Sequence, residues 1–204
     1  MNSDLFDYQS PLNHVERRDG LSKALLQSLK DFPPRAGKET YKGEAAFWLQ
    51  IHQGLLRTSA TLPAWCEQFL AEAELDRLEL MAPRISSLAG QLVSHAHGHH
   101  HIEDDHFFPA FLRIFPELAD PIDLLENDHT ILSVVLDDIE NATIGFKEMH
   151  AINNAVPTEK KSRMMQAGEK LLASALRLDK LFIRHISDEE DICLPILMRL
   201  EQTG

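Results

Sequence analysis

Several kinds of residue are scarce in this chain, and each scarcity narrows its chemistry. Cys66 and Cys193 are the only cysteines in 204 residues. Two are too few for a disulfide framework, and a reducing cytoplasm is the setting they favour. Basic side chains are also in the minority, 20 against 32 acidic ones, for a net charge of −12. That field repels a phosphate backbone, and Arg17-Arg18 is too small a patch to offset it, so no nucleic-acid partner is expected. No apolar run approaches the roughly 18 residues of a membrane span. Met1 to Asp7 is acidic, without the basic start and apolar core of a signal peptide, so no membrane partner is expected either. Nine glycines and 7% aromatics, beside long stretches of Leu, Ala, Glu and Lys, favour helix over strand. Neither His-Glu-x-x-His nor a Walker loop nor a dinucleotide fingerprint occurs, which sets aside the chemistry of those motifs.

What is present is organised in threes and fours. Residues 1–40 are breaker-rich, with Gln9-Ser10-Pro11, Arg17-Arg18-Asp19-Gly20 and Phe32-Pro33-Pro34 around one short helical candidate, Leu21 to Leu29. We read them as an arm laid over the domain or partly mobile. Residues 41–204 then show four apolar stripes of helical period. Trp48, His52, Leu55, Ser59 and Leu62 share one face; Ile85, Leu88, Leu92, Ala96, His99, Glu103 and Phe107 share the next. Leu125, His129, Leu132, Leu136 and Ile139 form a third. Leu171, Ala175, Leu178, Phe182, His185, Glu189, Ile192 and Ile196 form the fourth. The expected fold is all-α, an up-down four-helix bundle with an N-terminal arm and short helix. Pro109 and Pro195 should stop or kink their helices, and Pro63 should kink or end the first. Pro116 and Pro121 mark the second connection, and Asn153 to Pro157 the third, with Thr158 a candidate cap.

Each stripe carries a histidine where only apolar residues belong, and two carry a glutamate as well. Those two are copies of one pattern: His99-x-x-x-Glu103 leading to Pro109, and His185-x-x-x-Glu189 leading to Pro195. Residues four apart lie one turn apart on the same helical face. A buried carboxylate costs several kcal/mol unless compensated, and several together need a shared cation. The candidate ligands are therefore His52, His99, Glu103, His129, His185 and Glu189. Four imidazoles and two carboxylates suit a first-row metal, with iron, manganese and zinc all possible, and two carboxylates make natural bridges between two ions. His95, one turn before His99, is a possible extra ligand or a hydrogen-bonding supporter of one. His97, His100 and His101 are expected on a solvated, histidine-rich face. Cys193 reads as a small core residue.

The constellation resembles the hemerythrin-like family, in particular its HHE cation-binding domain. The resemblance is carried by His52, by His99-x-x-x-Glu103 ending in Phe107-Phe108-Pro109, by Glu126-Asn127-Asp128-His129, and by His185-x-x-x-Glu189 ending in Leu194-Pro195. It implies two iron ions, oxo- or hydroxo-bridged, with Glu103 and Glu189 bridging and the four histidines terminal. It further implies a small ligand such as dioxygen, nitric oxide or peroxide, and names no protein partner. One departure stands out. Oxygen-carrying hemerythrins have a second histidine one turn along helix three, where this chain has Ser133. One imidazole fewer leaves a more open centre and favours sensing, or a di-iron enzyme reducing peroxide or nitric oxide, over simple oxygen carriage. A metal-stabilised regulatory or structural module is the third alternative. A ferritin-like di-iron site would use Glu103-x-x-His106 and Glu126-x-x-His129. That scheme puts the motifs on the wrong pair of helices and leaves His52, His99 and His185 without a purpose.

Overall fold

The structure, a computed structural model, describes residues 6–33, 37, 41–151 and 156–203. Met1 to Leu5, Pro34 and the Asn153 end of the third connection lie outside the described residues. The fold is all-α, and no strand occurs among the described residues. A short helix α1 (Lys23–Ser28) precedes two long ones, α2 (Gly43–Ala71) and α3 (Leu75–Ile102). One π-helical turn, Glu103–Phe107, joins α3 to α4 (Phe108–Ile114). A 3-10 turn (Pro116–Leu118) then leads into α5 (Ala119–Ala151), and α6 (Pro157–Thr203) closes the chain. No helix of the described residues is long and apolar enough to cross a membrane.

The four stripes fall on α2, on α3 with the π turn, on α5 and on α6. Their residues are buried, except for the half-buried Leu88 and Phe107. Ser22 caps α1, its Oγ accepting from the Leu25 N–H at 3.4 Å, which satisfies one orphan donor of the first turn. Gly43 opens α2 with φ +54°, a left-handed conformation that costs any residue with a Cβ.

Of the stop or kink expected at the prolines, the stop does not occur at three of them. Pro63, Pro83 and Pro195 lie inside α2, α3 and α6 without ending them. Each forfeits one backbone bond, and burial of the surrounding stripe holds the helix together. Pro121 falls in the first turn of α5, where a missing N–H costs nothing. Thr158 is not a cap, because α6 already starts at Pro157. Pro109 sits in α4 just after the π turn, in which the Phe108 N–H reaches the Glu103 carbonyl five residues back. The wider turn relieves the crowding a proline ring imposes on the preceding turn.

The chain divides into two compact units. The first comprises Met1–Gly54, His99–Ile131 and Leu181–Gly204. Its core gathers Tyr8, Leu25 and Phe32 from the arm with Trp48, Phe108, Phe111, Leu118, Ile122, Ile192 and Cys193. Phe32 meets Phe115 edge-on at 5.1 Å, and the Arg199 guanidinium lies over both rings. The second unit comprises Leu55–Gly98 and Leu132–Lys180. It buries Leu62, Cys66, Phe69, Leu78, Ile85, Phe146 and Leu171, with Phe69 and Phe146 edge-to-face at 5.1 Å. Within it α6 approaches α2 so closely at Gly168 that a Cβ there would stand 3.0 Å from the Phe69 ring.

Candidate metal centre

All six ligand candidates lie in the first unit, and all are buried. His52 comes from α2, His99 from the end of α3, Glu103 from the π turn, His129 from α5, and His185 with Glu189 from α6. They meet around two adjoining foci. At one, His52, His99, Glu103 and Glu189 each offer a donor atom within 4.8 Å of the others. The His52 and His99 Nε2 atoms are 3.1 Å apart, His99 Nε2 is 3.0 Å from Glu103 Oε1, and His52 Nε2 is 3.1 Å from Glu189 Oε1. Donors held at roughly 2.1 Å from one first-row ion stand about 3 Å apart at adjacent corners of an octahedron. The donor spacing therefore fits a single ion.

The carboxylates reach toward the other focus through their second oxygens. Glu103 Oε2 is 3.6 Å from His129 Nε2, and Glu189 Oε2 is 3.4 Å from His185 Nε2. Each glutamate thus spans two imidazole sets, one oxygen to each. Five buried atoms at this junction have no hydrogen-bond partner: both Glu103 oxygens, Glu189 Oε2, His129 Nε2 and His185 Nε2. Unpartnered buried polar groups are rare and costly. Five on four residues of one cluster fit a site shaped for cations.

Behind the imidazoles stand further carboxylates. His185 Nδ1 lies 3.1 Å from Asp128 Oδ2, His129 Nδ1 is 2.7 Å from Asp104 Oδ1, and His52 Nδ1 is 3.4 Å from Glu190 Oε1. An ionised carboxylate only accepts, so each Nδ1 carries a proton and Nε2 is the nitrogen turned to the junction, as in carboxylate–histidine–metal arrangements. These supporters escaped the sequence reading, yet a signal existed. The acid directly after each core glutamate, Asp104 or Glu190, backs a histidine on a different helix.

Asp128 is itself gripped by the N-terminal arm. The Tyr8 hydroxyl donates to Oδ1 at 2.6 Å, Arg18 Nη1 donates to the same oxygen at 2.8 Å, and Arg18 Nη2 donates to Oδ2. Arg18 Nε donates to Asp188 at 2.7 Å, and Arg184 donates to that carboxylate as well. Burial would raise the Asp128 carboxyl, but the hydrogen bonds from Arg18 and His185 hold it below its ordinary range. The arm is therefore wired into the site through Arg18, which in the sequence is only half of a small basic pair.

Charge is distributed unevenly across the junction. Burial, reinforced by neighbouring Glu189, raises the Glu103 carboxyl well above its usual value. Burial works the same way on Glu189, but the His52 imidazole beside it prevails and holds it well below. His52 is correspondingly pushed up to about 9, Glu189 and Glu190 outweighing its desolvation. Burial takes His99 down to about 3, against the pull of Glu189 and with the push of His52. Protons thus stand in for missing positive charge, and a metal would displace them.

Two residues are placed differently from expectation. His95 is not among the residues gathered at either focus. It is exposed and belongs to the second unit, beside Pro83, Ser86, Gly90 and Phe146. His100, assigned to a solvated face, is buried at 6% exposure. Its ring stacks on His129 with centroids 4.1 Å apart and meets His185 edge-on at 5.6 Å. His101 does face solvent, its side chain 74% exposed beside Asp105.

Buried imidazoles and carboxylates gathered from long helices are the makings of a helical cation-binding domain. The family model for the hemerythrin HHE cation binding domain matches residues 45–197. The chain belongs to that family, and its fold is an all-α, hemerythrin-like helical bundle. No curated protein and no solved structure matches it.

Proposed function

We propose that the chain is a non-haem di-iron protein whose buried centre binds or senses dioxygen or a related small molecule. The observation that carries the reading is the set of five unpartnered buried atoms on Glu103, His129, His185 and Glu189. In this reading His52, His99, His129 and His185 would hold the ions from either side, and Glu103 and Glu189, each with one oxygen toward either imidazole set, would be shared between them. When bound, an iron pair supplies a redox-active centre for a small oxidant.

The chain's own residues prepare that centre. Asp128, Asp104 and Glu190 fix the tautomers of His185, His129 and His52, which also raises the basicity of the facing nitrogens. The Trp48 indole donates to Glu189 Oε1 and orients that carboxylate. Phe107 packs against Trp48 at 4.7 Å and Phe108 against His129 at 5.7 Å. These rings exclude bulk water, and the lower dielectric strengthens every charge interaction inside.

The test is visible spectroscopy of protein loaded with ferrous iron without oxygen and then exposed to air. Charge-transfer absorption should appear on aeration and fade on reduction. A fully iron-loaded protein that stays colourless in air would refute oxygen reactivity.

A further inference from the structure

Three imidazoles share the second focus, and the six-ligand reading employs only two of them. His100, His129 and His185 each offer a ring nitrogen within 4.8 Å of the others, and all three residues are buried. Successive helical residues diverge by about 100°, so His99 and His100 are placed to serve different foci from one turn of α3. His99 faces His52 at a ring separation of 5.0 Å, whereas His100 faces His129 and His185. The ring also has company that positions it, with Phe182 edge-on at 6.2 Å.

We propose that His100 is a fifth imidazole ligand, completing with His129 and His185 a three-nitrogen site for the second metal ion. The inference rests on the di-metal reading above. Three imidazoles and the two glutamates would then be available to hold the second ion, and two imidazoles with the same glutamates the first.

Packing alone is the competing role for His100, and His100→Phe separates the two. Phenylalanine keeps an aromatic ring to stack on His129 but has no donor atom. Metal content after anaerobic loading with ferrous iron and gel filtration should fall from about two ions per chain in the unsubstituted protein to about one in the variant. His100→Ala should lose the same ion and regain it when free imidazole fills the vacated space, a rescue that mere packing does not produce. A readout on the unsubstituted chain guards against a misfolded variant. With nitrogen-15 in its histidine rings and zinc added, five imidazoles should shift their resonances, not four. Two ions retained by His100→Phe with an unchanged spectrum, or four shifted rings, would overturn the assignment of His100 alone. An unsubstituted protein that takes up no second ion would overturn it together with the di-metal reading.

Discussion

Removing the Arg18 guanidinium should expose how strongly the arm is tied to the site. Arg18→Met keeps much of the buried stem but removes the positive partner of two carboxylates. Asp188 retains Arg184, which reaches it at 2.8 Å. Among the described residues Asp128 keeps the Tyr8 hydroxyl at 2.6 Å and His185 Nδ1 at 3.1 Å, neither of which neutralises it fully. Breaking a buried pair by removing one partner costs about 3–5 kcal/mol. Against a typical stability of about 5–15 kcal/mol, that is a large share. The assay is urea unfolding of metal-free protein at neutral pH, followed by far-ultraviolet circular dichroism. Arg18→Met should shift the midpoint sharply downward with little change in slope. Arg18→Met combined with Asp128→Asn should recover much of the loss, since the uncompensated charge is then gone. A single variant within about 0.5 kcal/mol of the parent, the range of an ordinary surface change, would refute the coupling between arm and centre.

Other substitutions probe other parts of the account. Glu103→Ala or Glu189→Ala removes a carboxylate that spans both imidazole sets, and should cost about one ion per chain by elemental analysis, whereas His101→Ala on the solvent face should leave metal content unchanged. Gly43→Ala forces a Cβ into a left-handed conformation and should destabilise by about 1–2 kcal/mol, read as a lower melting temperature. Burial pushes the Cys66 thiol up to about 12 and raises Cys193 well above its usual value. Neither should react with a disulfide reagent in the native protein near pH 8, and both should react once unfolded.

Most of the fold, and the inward-facing half of the site, were legible in the sequence because both follow from helical periodicity. An imidazole or carboxylate placed at a core position of an apolar stripe has one direction to point, and His52, Glu103 and Glu189 point there. Periodicity was a poorer guide one residue off the stripe. His100 borders its face, and whether it reaches solvent or core depends on what packs opposite, here the His129 ring. The prolines left a similar choice open, between stopping a helix and lying within it. Their local cost is real, but the burial along α2 and α6 outweighs one lost backbone bond, and a π turn accommodates Pro109. The arm's role was hidden because Arg18 and Asp128 are 110 positions apart, and no local pattern pairs them.

The central claim is that two cations occupy the junction of four imidazole-bearing helices. Anomalous diffraction from crystals grown with iron, recorded on either side of the iron absorption edge, tests it most directly. The account predicts two peaks, one among His52, His99, Glu103 and Glu189, the other beside His129 and His185. Full-occupancy iron elsewhere on the protein, with no anomalous density between those side chains, would contradict it.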